Sequence, residues 1–409
     1  MADHAHDSQD PNAGLNMRPR NRAIGAAGHL DPALPERLRE MLARGKEATA
    51  EAFAGVTADG VPRSGLFPLQ RTGISLAPVI SAANDFLDAL SAAERDTAQF
   101  AIESDTWRTW CNIHPFLMRH GVCLRDLGEA ARAAALALVR ESLSASGFST
   151  ARNVMKLNEH IRELTGRSEE YGEWYYWLSI FGKPSQDEPW GWQIDGHHLI
   201  INCFALNDQI VLTPNFMGSE PVVAASGQYA GTRVFEAEEA KGFALMHALS
   251  PAQRQEATIS AELPTEVFAA AYRDNLTLYY QGIRHDRLTP DQQSLLLDLI
   301  AVYVGRVRPG HDEIRMDEVK THLHDTWFAW IGGHGADSPF YYRIHSPVIL
   351  IEFDHQRGVA LDNDAPSRNH IHTLVRTPNG NDYGKDLLRQ HYQQFDHSHP
   401  HSPHRQGLE

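Results

Sequence analysis

GWQIDGHHLIIN (residues 191–202) and YYRIHSPVILIE (341–352) stand 150 positions apart and read alike. Without a gap, Trp177 falls on Trp327, Gly182 on Gly332, Asp187 on Asp337, Pro189 on Pro339 and Ile194 on Ile344. Aromatics match too, Trp190 on Phe340 and Trp192 on Tyr342. After a 14-residue insertion the match resumes, with VLTPN (211–215) on VRTPN (375–379). Each unit reads helix end, glycine turn, aromatic loop, long strand, connection, strand and Thr-Pro-Asn turn. A repeat of this kind implies two antiparallel strand pairs related by a pseudo-twofold, completing one central sheet with helices around it.

Working outward, the flanking sequence is helical. Asp31 can cap a helix over 31–57, in which Leu34, Leu38 and Leu42 recur at i+4. Further helices are expected over 76–98, 124–145 and 150–165, the last ending at Gly166. Strands over 198–205 and 209–213 around Asn207-Asp208 form a hairpin signal. Residues 236–303 and 317–331 return to helix, 341–354 and 370–376 to strand, and 382–392 to a short helix. The expected fold is α+β: a helical layer around a mostly antiparallel central sheet built from a duplicated strand unit. One domain spans 31–395. It divides into a helical part (31–170), a first unit (171–235), a helical insert (236–320) and a second unit (321–395). Residues 1–30 and the histidine-rich tail 396–409 read as disordered, being polar and without period.

The 409 residues carry 37 Lys plus Arg against 52 Asp plus Glu, a formal charge of −15. That balance disfavours nucleic acid and an anionic membrane surface as partners. No apolar run approaches the roughly 18 residues of a membrane span, and the first residues lack the apolar block of a secretory signal. Three cysteines (Cys111, Cys123, Cys203) make neither a disulfide framework nor a four-cysteine zinc site, so the expected compartment is the cytoplasm. The chain has 23 histidines; those of the tail (His397, His399, His401, His404) are discounted as adventitious metal binders.

The two units differ where chemistry would need them to differ. Gly196-His197-His198 stands against Ser346-Pro347-Val348, and Asn202 against Glu352. His370-Ile371-His372 lies on the last strand of the second unit, with Leu206 and Asp208 opposite its histidines. Residues two apart on a strand share a face, so His370 and His372 can take adjacent positions around one metal ion. Glu352 ends the apolar run PVILI, and a buried carboxylate needs a partner or a metal. If the units face each other, His198, Glu352, His370 and His372 converge as ligands for Zn(II), Fe(II) or Mn(II). The competing reading is a ladder of satisfied polar residues, with His197 bonding only the backbone and Glu352 paired with Arg343 or Arg376. Arg376, four residues past His372, suits an anionic substrate group, or else a structural salt bridge. Asp382 is an N-cap or an orienter of a ligand histidine. Tyr341, Tyr342, Trp190 and Trp192 read first as core, and Glu238 and Glu239 as helix N-terminal charges.

No Gly-x-Gly-x-x-Gly, Walker loop, Gly-x-Ser-x-Gly or His-Glu-x-x-His is present. The blocks WRTWCN (107–112), YYWLSIFGKP (175–184), LTPNFMGSEP (212–221), WFAWIGG (327–333), FYYRIHSPVILIEFD (340–354) and HIHTLVRTPNGNDYGKDLLRQHY (370–392) carry a resemblance. With GWQIDGHHLIIN they resemble a mainly microbial family catalogued as a domain of unknown function, number thirty-five hundred. The resemblance covers roughly 60–395. It implies one family-wide domain and brings no activity or catalytic residues with it.

The expected function is therefore a metal-dependent enzyme acting on a small organic substrate. His198, His370 and His372 would be ligands, Glu352 the fourth ligand or general base, and Arg376 the substrate anchor. Hydrolysis by metal-activated water comes first. A non-haem Fe(II) oxygenase and a non-enzymatic metal- or ligand-binding protein are the alternatives. Monomer and homo-oligomer both stay open.

Overall fold

The computed structural model describes residues 18–19, 36–112 and 120–394. The expected disorder of 1–30 and 396–409 falls almost wholly outside the described residues. The first half carries helices α1 (Glu36–Ala50), α2 (Ala77–Asp88), α3 (Ala92–Ala98), α4 (Glu129–Ser142) and α5 (Ala145–Thr165). Among them run the short strands β1 (Gln99–Phe100) and β2 (Val122–Cys123). Then come β3 (Tyr176–Gly182), β4 (Trp190–Gly196), β5 (Leu199–Leu206), β6 (Gln209–Val211) and β7 (Asn215–Ser219). The second half has α6 (Glu236–Ala248), α7 (Pro251–Ala257), β8 (Thr258–Ser260), β9 (Ile283–Arg284), α8 (Pro290–Val304) and α9 (His311–Thr321). It closes with β10 (Trp327–Gly332), β11 (Phe340–His345), β12 (Leu350–Arg357), β13 (Pro366–Arg376) and α10 (Lys385–Gln394).

The strands form one sheet in the order β1-β3-β4-β5-β7-β13-β12-β11-β10-β8, with β2 beside β3, β6 beside β5 and β9 beside β10. All neighbours are antiparallel except β1 with β3 and β8 with β10, so the protein is α+β with a mostly antiparallel mixed sheet. The order reads alike from either edge and meets where β7 pairs with β13. Strand order alone does not establish a duplication, and the repeated unit stays a reading of the sequence matches.

The alternation of β5 and β13 builds two cores. Leu199, Ile201, Met217, Ile351 and Val375 pack under α2, α4, α5, α6 and α8. Ile200, Phe204, Phe216, Leu350 and Leu374 pack on the other face with Trp107, Trp110 and Val267. Residues two apart share a side, so His372, Leu374 and Arg376 belong to that second face. No helix among the described residues is long and apolar enough to cross a membrane.

The helical layer follows local chemistry. Ser144 caps α5, accepting from the Gly147 N–H, and Gly166 ends it at φ 70°. Four corrections concern strand chemistry. The expected helix over 317–331 is α9 followed by β10, because WFAWIG is an aromatic, pleat-filling run. The unit's expected helix end at Trp177 is likewise strand β3. The helix over 236–303 is three helices, with α6 and α7 broken at Leu249-Ser250 and α8 set off from them by β8, β9 and irregular chain. The strand over 341–354 is two strands, turned at Ser346-Pro347, where the Ser346 hydroxyl accepts the N–H groups of Val348 and Ile349. The hairpin at Asn207-Asp208 is present, with Asn207 at φ 55°.

Candidate metal centre

His197 and His198 form the two-residue loop between β4 and β5. His198 takes the left-handed backbone conformation, φ 63°, which non-glycine residues seldom adopt. Its N–H donates to the Asn112 carbonyl at 3.3 Å, and its carbonyl accepts the Gly218 N–H at 2.8 Å. This clamp turns its ring toward β13, where His370 and His372 stand on one face. The Nε2 atoms of the three rings then lie 3.1 Å (198 to 372), 3.2 Å (198 to 370) and 3.0 Å (370 to 372) apart. All three residues are buried.

The bonds on the far side of two rings fix what those nitrogens are. His370 Nδ1 lies 2.7 Å from the Arg357 carbonyl, which can only accept. His372 Nδ1 lies 2.7 Å from Glu266 Oε1. Both Nδ1 atoms therefore carry the proton, and in the neutral rings both Nε2 atoms present lone pairs. Two bare lone pairs 3.0 Å apart repel unless a cation or proton lies between them. One ion could lie at the usual zinc–imidazole distance of about 2.1 Å from all three nitrogens at once. The donor set thus fits a divalent metal ion that His198, His370 and His372 would hold. A carboxylate or carbonyl on the outer nitrogen is the usual support of such a ligand.

Glu266 is itself tied down. Its carboxylate accepts from Asn112 Nδ2 at 3.1 Å and from the Val267 N–H at 3.0 Å. Burial raises its pKa, but the charge and hydrogen bond of His372 outweigh that and hold it below the usual carboxylate value. Burial pulls His372 down, yet Glu266, Asp354 and Glu220 raise it overall. His370 is pushed down to about 4 by burial, against the opposing charge of Glu220. Asp354 Oδ1 sits 3.9 Å from His372 Nδ1, and burial drives this carboxyl well above its usual value. Glu266 and Asp354 thus lie on the Nδ1 side of His372, away from the point the three Nε2 atoms share.

Gly218 on β7 is the floor of the cluster. A Cβ there would come within 2.8 Å of His372 Cδ2, 2.8 Å of the Ile371 carbonyl and 3.1 Å of His198 Cδ2. Only glycine lets β7 pass so close under the rings. His197 does not join them: it stacks on His198 at 3.9 Å between centroids, with Nδ1 2.9 Å from Asn158 Oδ1.

The structure brings together His198, His370 and His372 of the expected ligands and leaves Glu352 out. The Glu352 carboxylate accepts from the Phe268 N–H (2.7 Å), the Ala269 N–H (2.8 Å) and the Tyr341 hydroxyl (2.8 Å). It anchors the chain just after Glu266 and has no ligand role in this arrangement. Arg376 is equally committed. It donates to Asp274 (2.8 Å), Asp382 (3.1 Å) and the carbonyls of Ala269 (2.9 Å) and Ala270 (3.2 Å), fully buried, so no substrate carboxylate reaches it. Asp382 accepts the Thr377 N–H at 2.7 Å and pairs with Arg376; it orients no histidine and opens a short 3-10 turn ahead of α10. Tyr341, Tyr342, Trp190 and Trp192 are buried core, and burial pushes the Cys203 thiol up to about 12. Glu238 is more than a helix-end charge, being buried against Arg306, and Glu239 bonds His355 and Arg368.

Sequence reasoning missed Glu266, Asn112, Asn158 and Gly218. Gly218 had a legible signal, a glycine inside an apolar strand pattern. Glu266 had none, lying in an aperiodic segment 106 residues from the ring it orients.

Over residues 72–385 the chain matches the model of a family described as a protein of unknown function, DUF3500. No curated protein and no solved structure matches.

Proposed function

We propose that this chain, which belongs to the DUF3500 family, is a metal-dependent enzyme that hydrolyses a small organic substrate. The observation that carries the reading is the triangle of Nε2 atoms 3.0–3.2 Å apart, backed by fixed Nδ1 partners on His370 and His372. Among the described residues no carboxylate lies on the shared side, and three imidazoles so placed suit Zn(II) in a catalytic setting. A bound ion would supply Lewis acidity and lower the pKa of its water toward about 7. The protein's own share is to hold three rings together, His370 and His372 at fixed tautomers, and to place the Glu266 charge behind His372. That charge makes His372 a stronger donor. Gly218 keeps the floor of the site free of side chains.

The oxygenase alternative is less well supported. It needs two histidines and one carboxylate around iron. Glu352 is bound to backbone N–H groups, and Glu266 and Asp354 face the wrong ring nitrogen.

Elemental analysis of the full chain after dialysis tests the reading. One zinc per chain is expected, retained when residues 396–409 are deleted and absent from His370→Ala/His372→Ala. Turnover of p-nitrophenyl acetate as a probe ester should be lost with the ion. Iron with oxygen-consuming turnover would replace hydrolysis by the oxygenase reading. A stoichiometric ion without turnover on any ester or amide panel would leave a binding protein. A folded wild type that takes up no ion on reconstitution would sink both metalloenzyme readings and leave a protein that binds some other ligand.

A further inference from the structure

Two of the three clustered rings are held from behind by an acceptor on Nδ1, the Arg357 carbonyl for His370 and Glu266 for His372. His198 is supported through its face. The His197 ring lies on it, 3.9 Å between centroids and 29° between planes. Neighbours on a strand would send their side chains to opposite faces. In this two-residue turn, with His198 at φ 63°, the two rings stack instead.

The His197 ring is itself pinned. Its Nδ1 lies 2.9 Å from Asn158 Oδ1. Asn158 stands on α5 and donates its Nδ2 to the Gly172 carbonyl at 2.8 Å. That bond settles which way the amide points and makes His197 Nδ1 the donor to it. The His197 carbonyl accepts from the Tyr176 hydroxyl at 3.1 Å, and the Tyr171 ring packs against the imidazole at 5.1 Å between centroids. All four residues are buried. An apolar pair would fill the same space. What the asparagine and histidine add is a fixed ring plane, since an imidazole otherwise turns broadly about its last torsion. A flat neighbour of fixed plane in turn keeps the His198 ring from swinging out of the triangle.

We infer that His197, held by Asn158, is the positioning residue of the third ligand. It sets the plane of the His198 ring, as Arg357 and Glu266 set those of the other two. The inference deepens the metal reading and rests on it, although the ring it fixes is observable without metal.

Zinc affinity by chelator competition and the imidazole C–H signals of His198 in the metal-free full chain test this together. His197→Ala should weaken zinc by about tenfold or more, as loss of an outer support typically does. His197→Phe keeps a flat face but not the bond to Asn158, and should recover most of that loss. A residue needed only for its bond to α5 would not be rescued so. In metal-free protein the His198 signals should be single and sharp in wild type and in His197→Phe. They should be broadened or split in His197→Ala, with the His311 signals on α9 unchanged as the check on folding. If His197→Ala does not fold, Asn158→Ala frees the outer ring without touching the turn and takes its place with the same two readouts. Wild-type zinc affinity in the alanine variant, no rescue by phenylalanine, or unaltered His198 signals overturns the proposal. A wild type that takes up no zinc sinks the metal reading instead, and the ring signals alone then decide this one.

Discussion

His372 and Arg376 share one face of one strand, four residues apart, and both are buried and polar. The two ends of this short stretch behave oppositely. Around Arg376 every strong group is answered from within: two carboxylates and two carbonyls accept its protons, and Tyr383 adds a hydroxyl to Asp274 at 3.0 Å. Around His370 and His372 the outer nitrogens are answered by an acceptor each, whereas the inner ones meet only each other and His198. A closed network holds a fold, whereas an open one needs something from outside. Burial and polarity alone do not separate the two.

The sharpest way to break this contrast is to remove one residue from each end. Arg376→Ala leaves Asp274 and Asp382 buried without their cation, which should cost about 3–5 kcal/mol of stability by chemical denaturation. His370→Ala in metal-free protein removes a neutral group whose inner nitrogen meets only two other imidazole nitrogens, so its loss should be well under half as large. If the metal-free histidine variant unfolds as readily as the arginine variant, the cluster is structural and the open-network reading fails.

Gly218→Ala sharpens the same contrast with a single methyl. The added carbon meets two imidazole edges and a carbonyl at 2.8–3.1 Å, none of which can retreat without moving β13 or the His198 loop. Overpacking of this kind costs typically about 1–3 kcal/mol. The loss should appear mainly in metal affinity, measured by chelator competition, because the rings are what the methyl displaces. An alanine variant that binds the ion as tightly as wild type would show that the rings are not held in register by β7.

The same contrast explains what could be read from the sequence. His370 and His372 were legible because two-residue spacing on a strand fixes a common face, and His198 because its unit lacks a counterpart there. Glu352, Arg376 and Asp382 satisfied the same criteria, buried and polar and close in the chain. They are nonetheless closed off by partners at Phe268, Ala269 and Asp274. Those partners sit in the irregular chain between β8 and β9, which has no hydrophobic period and was expected to be helix. The aromatic runs of β3 and β10 were misplaced for a related reason: buried on both faces, they lose the alternation that marks a strand. The central strands and the α+β class were legible, because short apolar β-type runs and turn residues are local, whereas the far ends of long-range hydrogen bonds are not.

A smaller effect isolates the orienting carboxylate. Glu266→Gln keeps the shape of the side chain but removes the charge behind His372. Losing such an outer partner typically weakens metal binding about 10–100-fold. Stability of the metal-free protein should change little by comparison, since a glutamine oxygen at the Oε1 place still accepts from the Val267 N–H and His372 Nδ1, and only the Asn112 contact is lost. A glutamine variant with unaltered affinity would make Glu266 a packing residue only.

The smallest effect, and the most diagnostic, is the pH dependence of binding. Proton and metal compete for the same Nε2 atoms. His372 protonates before His370, because Glu266, Asp354 and Glu220 raise its pKa above the ordinary histidine value despite burial. In the metal-free protein that raised value stabilises the fold below the unfolded pKa, and the contribution is lost as pH rises through the folded one. Metal affinity runs the other way. It should be flat above the His372 pKa and fall about tenfold per pH unit below it, one proton displacing one ion. His370, held down to about 4, should add a second proton only in strong acid. In Glu266→Gln the charge that raises His372 is gone, so the onset of the fall should move to lower pH even as the plateau affinity drops. A shared onset in the two proteins would mean that the titrating group is not His372, and that the carboxylate acts on the metal by some route other than this ring.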